Sequence, residues 1–139
     1  MTVPMEYRQA TRDFENFLIA VRDRAGLATT NQAFTMVDGV LRTFRRRLEP
    51  AEAIAFAQVL PACLRALFVR DWDLDEPRKT FGTREAMTLE VKALRPDHNL
   101  STESAIADVA AVLRETLGVT VLDQALAGLP EGAKRFWLT

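Results

Sequence analysis

The chain has 139 residues, 48% hydrophobic and 27% charged, which suits one ordinary globular domain with a core that needs no metal or disulfide staples. Its single cysteine, Cys63, rules out an intramolecular disulfide, and no apolar run approaches the ~18 residues of a membrane span. A formal net charge of −1 argues against general nucleic-acid affinity, which depends on neutralising phosphates.

Nearly every apolar pattern has helical period. Phe14, Phe17, Leu18 and Val21 fall at i, i+3, i+4, i+7 and form one stripe of a first helix starting near Met5, which Tyr7 extends backward. Gly26 suits its C-terminal cap, because it accepts positive φ, and Leu27 supplies the accompanying apolar contact. Thr29 and Gln32 have capping-box spacing for a second helix, whose face carries Ala33, Val37, Val40, Leu41, Phe44 and Leu48. Pro50 fits the first turn of a third helix, where its missing N–H costs nothing. Leu60-Pro61 turns the chain, and Pro61 opens a fourth helix with Leu64, Leu67 and Phe68 inward.

Residues 71–82 form one long irregular acidic stretch with Pro77 and Gly82 as breakers. Thr83 then caps a helix bearing Met87, Val91 and Leu94, which ends before Pro96. Ser101 or Thr102 is expected to cap the next, running to Leu117 and stopping at Gly118. Thr120 with Asp123 resembles a capping box for a short helix through Ala127, and Leu129-Pro130 starts a last one ending in Phe136-Trp137.

The two Leu-Pro steps point to a repeat. A shift of 72 places Ala33, Val37, Val40, Leu41 and Arg42 on Ala105, Val109, Val112, Leu113 and Arg114. A shift of 69 places Leu60, Pro61 and Phe68 on Leu129, Pro130 and Trp137. The expected fold is therefore an all-α helical bundle, a single domain over residues 1–139. It is built from two similar three-to-four-helix repeats at about 5–70 and 83–139, joined by the acidic loop 71–82. Each half has an apolar face, and the halves most simply bury those faces against each other.

The order of these features resembles the bacterial family filed as domain of unknown function 2267. The resemblance rests on Phe17 and Val21, Gly26-Leu27, Val40-Leu41, Arg47-Leu48, Gln58 before Leu60-Pro61, Leu64-Arg65, Trp72 and Pro77. It spans about residues 14–137, with two departures: Val59 stands between Gln58 and Leu60, and Asp71 precedes Trp72 where a glycine is usual. These are helix-packing positions, so the resemblance implies a helical fold and no particular chemistry.

Candidate sites follow from the residue types that remain. Asp71, Asp73, Asp75 and Glu76 suggest a calcium loop, but Glu76 and Gly82 occupy the positions where an EF-hand needs glycine and a bidentate glutamate. A solvated connector is expected, with Trp72 packed back over the bundle, since burying its ring is worth about 2 kcal/mol or more. Arg42, Arg45 and Arg46 share one helix face next to Arg47. They are the candidate contact for an anion or acidic partner, against a plainer reading as a solvated helix end complementing the C-terminal dipole. Cys63 is expected to be a small core residue and His98 an exposed loop residue. Together they are too few for a Cys/His zinc site. No metal, cofactor or catalytic constellation is indicated.

These readings favour a non-enzymatic cytoplasmic module for protein–protein interaction or scaffolding, consistent with residues 1–8 lacking the apolar core of a secretory leader. The alternative is a site for a small apolar or amphipathic ligand between the repeats, lined by Phe34, Met36, Phe56 and Met87. Charge is uneven: residues 1–70 hold 10 basic and 7 acidic groups, and residues 71–139 hold 8 and 12. That split predicts a weak, salt-sensitive homodimer, with Ile19, Phe34 and Leu138 as exposed apolar contributors.

Overall fold

A computed structural model describes residues 2–138. Among them the regular elements are helices: α1 (Met5–Arg8), α2 (Ala10–Ala25), α3 (Thr30–Arg45), α4 (Pro50–Ala57), α5 (Ala62–Val69), α6 (Arg84–Ala93), α7 (Ala105–Leu117), α8 (Val119–Ala127) and α9 (Glu131–Leu138), with a 3-10 turn at Pro96–His98.

The local signals act largely where the sequence places them. Gly26 adopts φ 72° and ends α2, its N–H and that of Leu27 both reaching the Arg22 carbonyl. The Thr29–Gln32 capping box closes reciprocally at the start of α3. Pro50 sits in the first turn of α4, and the Thr83 hydroxyl accepts from the Ala86 N–H at the start of α6.

Three boundaries differ. The first helix divides at Gln9 (φ −105°, ψ 12°), and α1 buries nothing. Tyr7 is exposed rather than part of the stripe. The break lets Glu6 reach Arg65 on α5 at 2.9 Å. The cap of α7 is Ser104, not Ser101 or Thr102. Asn99 holds the preceding segment off the helix by donating to the Val91 and Leu94 carbonyls and accepting from the Ser101 N–H. Helix α8 begins at Val119 straight after Gly118, so Thr120 lies inside it and the Thr120–Asp123 box does not form.

The centre of the bundle is α3. Its apolar stripe Ala33, Met36, Val37, Val40, Leu41 and Phe44 is buried, and so are Thr35, Asp38, Gly39, Thr43 and Arg45. Gly39 is where α6 crosses: a Cβ there would lie 2.9 Å from the Val91 carbonyl oxygen and 3.1 Å from its Cγ1. Phe44 gathers an aromatic cluster from the middle and the C-terminal end of the chain, with ring centroids 4.9 Å from Phe56, 5.1 Å from Phe136 and 5.2 Å from Trp137. One continuous apolar core contains all of these.

Helices from both parts of the chain interleave. Helix α3 lies against α6 while α7 lies against α2, α5 packs on α3 as α9 packs on α7, and α4 meets α8. The positions paired by the 72-residue shift (Ala33/Ala105, Val37/Val109, Val40/Val112, Leu41/Leu113) are buried in both halves. Among the described residues no helix is long and apolar enough to cross a membrane.

Candidate functional site

A cleft of about 500 Å³ opens on the seam between the halves, bounded by α2, α5 and α7 and flanked by α1. Small residues open it: Ala10 and Ala20 on α2, and Ala62 and Cys63 at the start of α5. Buried Phe17, Leu64 and Val112 with half-buried Phe14 make an apolar inner wall. The exposed Glu6, Asp13 and Glu115 give it an acidic rim, joined by Asn16 and Thr116. Glu6 is neutralised by Arg65, Glu115 meets Arg24 only at 3.8 Å, and Asp13 has no ion pair among the described residues. The Cys63 thiol donates to the Ala10 carbonyl at 3.6 Å. Cys63 is thus half-buried in the cleft wall and not a core residue, because proline-started α5 presents its first turn to α2.

The residues expected to line a cleft do not line this one. Met36, Phe56 and Met87 are buried in the core, where α3, α4 and α6 close on the aromatic cluster. Met87 also borders a separate small hollow with Phe81 and Gly132. Phe34 is half-buried. It stands edge-on to Phe14, 6.1 Å away, and the Arg70 guanidinium lies 5.5 Å from its ring. Only its neighbour Phe14 reaches the cleft. Composition and periodicity mark Met and Phe as adaptable, but they do not tell a core-facing from a cleft-facing helix side. The small residues of α2 and α5 were the available signal.

The arginines of α3 are neither a solvated helix end nor an open patch. Arg42 pairs with Asp38 at 2.9 Å and lies 3.7 Å from Asp71. Arg45 is 2% exposed; its Nη1 donates to the Phe68 and Arg70 carbonyls, and its guanidinium carbon lies 5.3 Å from the Trp72 ring. Arg46 meets Glu76 at 3.2 Å and Glu90 at 3.4 Å. Arg47 binds Glu90 at 2.6 Å and also donates to the Thr43 and Thr80 carbonyls. These contacts bind the 71–82 segment to the bundle and bring half-buried Trp72 against the core, as its ring size implied. Burial pushes the Glu90 carboxyl up, but hydrogen bonds from Lys79 and Arg47, together with their charges, outweigh it and hold it below the ordinary carboxylate value. Burial, reinforced by the charges of Arg42 and Arg46, pushes the Arg45 guanidinium down.

Several of these pairs cross the seam. Arg24 faces Asp108 and Glu115, and Arg46 and Arg47 face Glu90. Part of the contrast between a basic first half and an acidic second half therefore holds one molecule together. Of the side chains named for self-association, Ile19 and Leu138 are exposed and Phe34 is not. His98 lies exposed in the 3-10 turn, and no group of three or more metal-ligating side chains occurs among the described residues.

Among curated proteins, none matches this chain significantly. A family model described as an uncharacterized conserved protein (DUF2267) matches residues 14–136, a span running from Phe14 in the cleft wall to Phe136 in the aromatic cluster. Since that is most of the chain, the protein belongs to the DUF2267 family.

Proposed function

We propose that the protein is a non-enzymatic binding module whose seam cleft takes a small amphipathic cation, an amine carried on an apolar body. The observation that supports this is the cleft itself. Its volume of about 500 Å³ suits a small ligand, its inner wall is apolar, and its rim carries Asp13, which has no ion pair among the described residues, and Glu115, which Arg24 meets only at 3.8 Å. An apolar body fills the wall while the ammonium meets the rim, and a carboxylate of the same shape meets repulsion instead.

Cys63, the chain's one cysteine, provides the test. Its alkylation rate is measured with phenethylamine, with phenylacetate and with neither. Slowing by the amine alone is expected, together with loss of that protection in Asp13→Asn/Glu115→Gln. Equal protection by both compounds, or protection by neither, refutes the reading.

A second reading, a protein–protein interaction or scaffolding surface, is supported by Ile54 on α4 and Val119 and Val121 on α8. All three are exposed, and they stand on helices that touch. Its test is whether Ile54→Lys abolishes co-purification of a specific partner. We also infer an internal duplication, α2–α5 against α6–α9, supported by the reciprocal packing and the matched buried positions. A bacterial cytoplasmic setting is part of the same proposal.

A further inference from the structure

We propose that a second pocket, between the C-terminal end of α3, the start of α4 and the 71–82 segment, binds a small oxyanion, a phosphoryl or carboxylate group on a compact body. The pocket has a volume of about 220 Å³ and is lined by Arg45, Arg46 and Arg78 together with the carboxylates Glu49 and Glu76, with Trp72 as an apolar wall.

The charge balance at Arg45 carries the argument. Arg42, Arg46 and Arg47 on the same stretch each have a carboxylate within 4 Å. Arg45, the most buried of the four, has none among the described residues, and its Nε has no hydrogen-bond partner. Its acceptors are the carbonyls of Phe68 and Arg70 at the end of α5, where the helix dipole supplies only about half an elementary negative charge. The Trp72 ring adds a weaker quadrupolar attraction. The charges of Glu76 and Asp38 act on Arg45 only from beyond ion-pair distance, and a buried guanidinium without a carboxylate in contact favours an anion close by.

Arg46 and Arg78 give that anion donors. Both are already engaged, Arg46 with Glu76 and Arg78 with Glu49 at 2.6 Å. Glu49 and Glu76 are at least partly solvated, and exposed pairs of this kind are weak enough for a multidentate oxyanion to displace them. Glu49 and Glu76 thus act as built-in competitors, and removing one should strengthen binding.

Calorimetric titration with inorganic phosphate and with acetate, at constant ionic strength, tests this. Saturable binding of at least one probe is expected. Arg78→Ala, which removes a half-exposed side chain and should leave the fold intact, should weaken it about tenfold, and Glu76→Gln should tighten it severalfold. Arg22→Ala, outside the pocket, should change nothing. Phosphate as the only ligand assigns the site to phosphoryl groups, and acetate alone assigns it to carboxylates. Non-saturable heats with both probes, or equal affinities in the Arg78 and Glu76 variants, overturn the proposal.

Discussion

Replacing Glu90 with glutamine tests how the two halves are joined. The carboxylate stands on α6 and is reached by Arg47 at 2.6 Å, Lys79 at 2.7 Å and Arg46 at 3.4 Å. Its side chain is 11% exposed and that of Arg47 is 7%. Removing one partner of a fully buried pair costs about 3–5 kcal/mol. Arg47 keeps the Thr43 and Thr80 carbonyls as acceptors, which lowers the expected loss to about 2–3 kcal/mol. For a domain of this size that is a fall in Tm of roughly 6–15 °C.

The pH dependence gives a second readout. The Glu90 carboxyl titrates below its ordinary value of 4.5 in the folded protein. Its contribution is therefore present in full above that value and is lost as pH falls through the lower, folded one. Urea unfolding of both proteins at pH 7 and at a series of acidic pH values is the assay. The stability gap should be largest at neutral pH and should narrow below about pH 4. A gap under about 0.5 kcal/mol at pH 7, or one that stays constant into acid, would refute the reasoning.

Gly39→Ala should destabilise by about 1–3 kcal/mol, even though alanine is the better helix former by about 1 kcal/mol, because its Cβ would press on the Val91 backbone. An unchanged or raised Tm would show that α6 can shift. Thr29→Ala removes an observed N-cap acceptor and should cost about 1 kcal/mol in urea titrations; no loss would mean the cap is redundant. Because Arg24, Arg46 and Arg47 already face acidic groups across the seam, charge-driven self-association should be slight. Sedimentation at low and high ionic strength should give the same monomer, and a dimer that dissolves with salt would contradict this.

The helices and most of their ends are determined by the sequence, because their causes are local. A 3.6-residue apolar period, a glycine that tolerates positive φ at Gly26, and hydroxyls three residues ahead of an N–H at Thr29 and Thr83 act within a turn or two of chain. Local rules fail where a distant group competes. Asn99 displaces the cap of α7, α1 parts from α2 at Gln9 where Glu6 meets Arg65, and the acidic 71–82 segment covers arginines that the sequence leaves facing water. The ionic junction was half legible: Asp38–Arg42 has helical i, i+4 spacing, but Glu90 lies 43 residues from Arg47 and carries no mark of its partner. The cleft left only an ambiguous mark in the sequence. Whether small residues such as Ala10, Ala62 and Cys63 close a helix crossing or leave a hollow depends on where α7 settles, and only the packed core fixes that.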